Sequence, residues 1–167
     1  PLLIYVVINN VLNYSDQIFI SNYFDKMALA IYSVGYRVGM IIIIFYGAVS
    51  NYFSINYYEN FLSKKENRKK TSSLIILLFL FSLFTFVLSR YYIEYSTGWV
   101  GNKLTQALTV NKIVILSYYV NSIFLIYSRD LFYLGKTVKI SVLVSICAIT
   151  NVVLNYLFLE NGGIIIA

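Results

Sequence analysis

Apolar residues in this chain fall into five long, nearly continuous runs separated by short polar stretches. The runs extend from about Leu2 to Phe24, Leu29 to Phe53, Ser73 to Ile93, Lys112 to Tyr133 and Val138 to Phe158. None shows the period-two alternation of a half-buried strand, and each approaches the roughly 20 residues that carry an α-helix across the hydrocarbon layer. A backbone in lipid must satisfy its own hydrogen bonds, which selects helices over open strands. The pattern therefore predicts an all-α, polytopic membrane protein with about five transmembrane helices.

Charge between the runs alternates. The polar stretch 56–72 holds Lys64, Lys65, Arg68, Lys69 and Lys70, and the fourth junction holds Arg129, Lys136 and Lys139. The first junction has only Lys26; the third, Glu94 to Asn111, has only Lys103, with Arg90 and Lys112 near the helix ends. Basic loops stay on the cytoplasmic side, so the second and fourth junctions are expected inside and the N-terminus of the first run cytoplasmic, as in a multi-pass membrane protein. The third junction, with Gly98, Trp99, Gly101, Leu104, Ala107 and Leu108, reads either as a short amphipathic interfacial helix anchored by Trp99 or as a plain loop. Tyr57, Tyr58, Tyr91, Tyr92 and Tyr95 near the run ends suit an aromatic belt.

Composition narrows the function. The 167 residues are 59% hydrophobic and 12% charged, where a soluble domain carries roughly 25% charged residues. The formal charge of +6 is confined to the junctions, which favours membrane orientation over nucleic-acid binding. There is no histidine, and the one cysteine, Cys147, lies inside an apolar run, so no metal site, disulfide or cofactor is expected and an enzyme is not. Phosphate-binding loops and catalytic triads have no counterpart here. Asp130 beside Arg129 reads as a local charge pair. The apolar start at Pro1 and the tail Gly162 to Ala167 both read as parts of further segments, so an internal piece of a longer protein is expected.

The first run is the least apolar. Asn9, Asn13 and Asp16 recur at helical spacing, flanked by Asn10 and Gln17. An Asp facing lipid at mid-helix costs about 2.5–3.5 kcal/mol, so this stripe faces other helices or a water-filled cavity. Arg37, eight residues into the second run, is expected at the same depth as Asp16, roughly 12 Å below the outer boundary. The two either pair as a structural ion pair, or Arg37 points into a cavity and attracts an anionic head group, for which a guanidinium fork is well shaped. In the fifth run Ser141, Ser145, Ala148 and Asn155 form a stripe with Asn151 beside it, as close helix packing requires. Ser117, Asn121 and Ser122 in the fourth run admit either reading.

Two segments resemble a known family. Ser15-Asp16-Gln17-Ile18-Phe19-Ile20 followed by Ala30-Ile31-Tyr32-Ser33-Val34-Gly35-Tyr36-Arg37-Val38-Gly39 is similar to the start of the second half of polysaccharide flippases. These belong to the multidrug/oligosaccharidyl-lipid/polysaccharide exporter superfamily and include O-antigen and capsule repeat-unit flippases. Leu134-Gly135-Lys136-Thr137, Asn151-Val152-Val153-Leu154-Asn155 and Glu160-Asn161-Gly162-Gly163-Ile164-Ile165 resemble its late segment. Ala30 stands where Gly is common, Gln17 where a basic residue is common, and Ile166 replaces a Gly. The resemblance implies a transporter of about 12 to 14 helices in two bundles, with this chain in the C-terminal one. It implies flipping of an undecaprenyl-pyrophosphate-linked oligosaccharide by alternating access during polysaccharide (lipopolysaccharide or capsule) biosynthesis. Partners would be that substrate, membrane lipids and a coupling ion, H⁺ or Na⁺. Asp16 and Arg37 match family positions and are the leading cavity candidates, with Asn9 and Asn13 extending the face. The rival functions are an ion-coupled multidrug or metabolite exporter, with Asp16 at the ion, and a structural membrane scaffold.

Overall fold

A computed structural model describes residues 2–59, 64–100 and 105–162. They are helical nearly throughout: α1 (Leu2–Tyr23), α2 (Lys26–Gly39), α3 (Ile41–Glu59), α4 (Lys64–Val100), α5 (Thr105–Tyr133) and α6 (Thr137–Gly162). Only Met40 separates α2 from α3. The ladder carries past it, with Met40 N–H donating to the Tyr36 carbonyl at 2.9 Å and Ile44 N–H to the Met40 carbonyl at 3.3 Å. The two form one rod, so the described residues make five helices, in the order the apolar runs predict.

Four of these are long and apolar enough to cross a membrane: Lys26–Tyr52, Lys69–Tyr95, Gln106–Tyr133 and Thr137–Leu157. The remaining helix, α1, has 22 residues, a spanning length. Asn9, Asn10, Asn13, Asp16 and Gln17 dilute its apolar character.

Helix ends depart from the apolar boundaries, each for a local reason. α2 starts at Lys26 because Asp25 caps it: its Oδ1 accepts from Ala28 N–H at 2.7 Å. α4 starts at Lys64, some nine residues before its apolar run. Lys, Glu and Arg are good helix formers, so the basic stretch continues the helix outward. At its other end α4 runs through Trp99 to Val100 and α5 starts at Thr105, so among the described residues this junction is taken up by the ends of these two helices. Residues 101–104, with Lys103 and Leu104, lie outside the described residues, as do 60–63 and the closing motif from Gly163 onward. Between α5 and α6, Gly135 takes φ +69°, where a side chain is strained. That conformation lets Lys136 N–H reach back to the Leu131 carbonyl at 2.8 Å and ends α5.

The chain divides into two compact units, residues 1–33 with 128–167 and residues 34–127. In the first, α1 packs along α6. In the second, Tyr46 of α3, Leu74 and Leu78 of α4 and Ile126 of α5 form a buried cluster, extended by Phe45 stacked on Phe81 at 3.7 Å. Residues 34–39 of α2 also join α5 there. Gly35 lies against the Ala107 carbonyl and the Asn111 backbone, and Gly39 against Val114. Small residues four apart allow this close approach. Asn111, 1% exposed, donates its amide to the Gly35 carbonyl at 3.0 Å, and Tyr118 donates its hydroxyl to that of Tyr36 at 2.6 Å.

Candidate functional site

The site in the first unit is built on Asp16. Ser15 and Asp16 sit on the α1 face that meets α6, and both are buried. Asn151 and Asn155 are one helical turn apart on α6, so both amides project from the same face toward α1. Asn155, 2% exposed, donates Nδ2 to Asp16 Oδ1 at 2.7 Å and lies 3.3 Å from Asn151 Oδ1. Ser15 Oγ donates to Asn151 Oδ1 at 2.8 Å and is 3.4 Å from Asp16 Oδ1. Tyr32, buried on the first part of α2, donates its hydroxyl to Asp16 Oδ2 at 3.0 Å.

Asp16 of α1 is therefore held from α2 and α6 by neutral donors, Tyr32 and Asn155. Each carboxylate oxygen keeps lone pairs beyond those hydrogen bonds. An ionised carboxylate in an apolar helix bundle is costly to bury without a compensating charge. The cluster gathers oxygen around the Asn155 amide: two from Asp16 and one each from Ser15, Tyr32 and Asn151. A hard-oxygen set with a single negative charge suits a proton or a small monovalent cation better than a soft transition metal.

Arg37 lies in the second unit, and its side chain is exposed on α2. Among the described residues, no hydrogen bond or ion pair engages its guanidinium. Counted along the rod Lys26–Tyr52, it is eleven residues from one end and fifteen from the other, about 16 and 22 Å at the α-helical rise. That is close to the middle of the candidate span. Its neighbours Gly35, Tyr36 and Gly39 are buried against α5, so the helix turns the arginine away from that contact.

Asn9 is half-buried and Asn10 exposed on α1, while the Asn13 side chain lies outside what is described. Ser141 and Ser145 return their hydroxyls to their own helix, on the Thr137 and Ser141 carbonyls at 3.0 and 2.7 Å. The α6 stripe thus divides: its serines and Ala148 serve packing, whereas Asn151 and Asn155 join Asp16. Tyr32 is the member that sequence patterning does not single out for this site, because a tyrosine among apolar residues reads as core.

Comparison with protein-family models, curated proteins and solved structures finds no match. The functional reading rests on the chain itself.

Proposed function

We propose that this chain forms part of a multi-pass membrane exporter that flips a lipid-linked, undecaprenyl-pyrophosphate-bearing oligosaccharide from the inner to the outer leaflet of a bacterial cytoplasmic membrane. The observation that carries the reading is Arg37, exposed near the middle of an apolar rod long enough to span a membrane. Facing acyl chains it would cost about 2.5–3.5 kcal/mol or more, so its face belongs to a polar space within the protein. A planar guanidinium there is suited to a phosphate passing through. The resemblance of two segments to polysaccharide flippases supports the reading, since in it this arginine and Asp16 would stand at family positions. In this reading the basic start of α4 and the α5–α6 junction face the cytoplasm, the chain works by alternating access, and no catalytic step is involved.

Complementation of a flippase-deficient bacterium, reading surface polysaccharide with a matched sugar repeat, tests the proposal. The wild-type gene restores polymer; failure to restore it at proven membrane expression removes the reading. In the restored strain Arg37→Ala lowers polymer about ten- to a hundredfold, the worth of one charge-assisted hydrogen bond, with membrane abundance unchanged. Arg37→Lys retains an intermediate level, because the charge stays while the fork is lost. Normal polymer in Arg37→Ala would take the arginine out of the substrate path.

The Asp16 cluster favours a second reading, an ion-coupled multidrug or metabolite exporter in which H⁺ or Na⁺ loads the carboxylate. That reading predicts drug or metabolite efflux that collapses with the ion gradient, and no restored polysaccharide.

A further inference from the structure

Helix α4 has the opposite polarity to a helix of a soluble protein. Between Lys70 and Arg90 it carries no charge, and its only polar side chains from Leu74 to Ser89 are Ser82, Thr85 and Ser89. All three are buried. Each hydroxyl returns to the helix itself, on the carbonyls of Phe79, Phe81 and Phe86 at 2.7, 2.9 and 2.8 Å. The buried face thus needs no polar partner from another helix. Ser72 and Ser73 are exposed beside Lys70, and from Leu74 to Leu88 the outward face is entirely apolar: Ile76, Leu80, Leu83, Phe84, Val87 and Leu88 are all exposed. Arg37 and Asn10 are polar and exposed elsewhere, so the outward surface of the chain is not of one kind.

The uncharged length between the flanking basic residues matches one solvent. From Lys70 to Arg90 is twenty residues, about 30 Å at the α-helical rise, the thickness of the hydrocarbon core. Both ends carry head-group chemistry. Beyond Lys70 the helix continues through Lys69, Arg68, Lys65 and Lys64, a basic stretch suited to anionic phosphates. Beyond Arg90, which is paired with Glu94 at 2.8 Å, Tyr91, Tyr92 and Tyr95 are exposed within one arc of the helix. Tyrosines at this position hold a span end at the membrane–water interface.

We infer that the outward face of α4 from Lys70 to Arg90 is a lipid-contact surface that spans the full hydrocarbon thickness, with its basic and tyrosine ends in opposite head-group layers. The occupant of this face is the bilayer and not another helix of the protein or a partner. It follows that this helix fixes the depth of the protein, so stability tracks bilayer thickness.

The test uses the full chain reconstituted in phosphatidylcholine vesicles that contain brominated lipids. Trp99 is the sole tryptophan, so Trp99→Phe gives a silent background for single reporters. Leu80 lies ten residues from both Lys70 and Arg90. Leu80→Trp is expected to be quenched about twofold more by bromine near the chain terminus than by bromine near the head group. Tyr91→Trp shows the reverse order. Leu83→Trp replaces Leu80→Trp on the same face if the latter fails to insert. A helical, inserted protein whose Leu80→Trp or Leu83→Trp reporter escapes quenching has this face covered by protein, which overturns the inference. Equal depth for the two reporters overturns it as well. In vesicles of graded acyl length the unfolding temperature peaks where the hydrocarbon is about 30 Å thick, and a flat profile rejects the depth matching.

Discussion

Asp16→Asn reaches the membrane at wild-type abundance or above and loses at least about tenfold in transport, measured as surface polysaccharide in the complemented strain or as efflux. The two halves of this result have separate causes. The asparagine oxygen still accepts from Tyr32 or Asn155, and rotation of the Asn155 amide meets the new NH₂ with an oxygen. The variant gives up charge-assisted hydrogen bonds of about 1.5–3 kcal/mol each. It also no longer desolvates an ion, a saving of several kcal/mol. Folding is thus close to neutral, while under the proposed transport role the negative charge held between α1, α2 and α6 is lost. Asp16→Leu contrasts with this. It leaves the Tyr32 hydroxyl and the Asn155 amide without their acceptor, at about 1–3 kcal/mol for each orphaned donor, and lowers abundance together with transport. If Asp16→Asn instead transports normally, the cluster is interhelical glue, and the scaffold account of these residues stands.

Much of this fold is legible in the pattern of apolar residues, because a span in lipid needs length and uninterrupted apolarity and both are properties of the chain itself. What the pattern misses is where helix propensity and hydrophobicity part company. Lys64 to Lys70 is a poor membrane segment and a good helix, so α4 starts well before its apolar run. Met40 ends one segment and begins another inside a single apolar run, with no proline or charge to mark it. The site divides in the same way. Asp16 and Arg37 stand out because charges inside a span are expensive, and this is visible in one helix at a time. The partners of Asp16 are not, because they depend on how α1, α2 and α6 are rotated about their axes. Asn151 and Asn155 show the spacing of one face without showing what that face meets. Tyr32 gives no signal at all until its hydroxyl is seen on Asp16.

Among the helical glycines Gly35, Gly39 and Gly47, Gly35→Ala is expected to be the most damaging, and Gly47→Ala is its control. A Cβ at Gly35 would sit 2.7 Å from the Ala107 carbonyl oxygen and 3.1 Å from the Asn111 backbone nitrogen. Both neighbours are backbone atoms of α5, which cannot swing aside as a side chain can, so the helices must separate. Separation weakens the Asn111 to Gly35 and Tyr118 to Tyr36 hydrogen bonds on the same seam, and leaves a buried amide poorly satisfied. Overpacking of this kind costs about 1–3 kcal/mol. At Gly39 the nearest atom is a Val114 methyl at 2.5 Å, a side chain rather than backbone, so Gly39→Ala is expected to fall between the two. Gly47 meets nothing within 4 Å. There alanine keeps the packing and gains helix propensity, stabilising α3 by about 0.5–1 kcal/mol. Thermal unfolding in detergent, followed by loss of monodisperse protein, is expected to rank Gly47→Ala above wild type, then Gly39→Ala, then Gly35→Ala. A Gly35→Ala protein as stable as wild type would mean that α2 and α5 do not meet along this seam in the membrane.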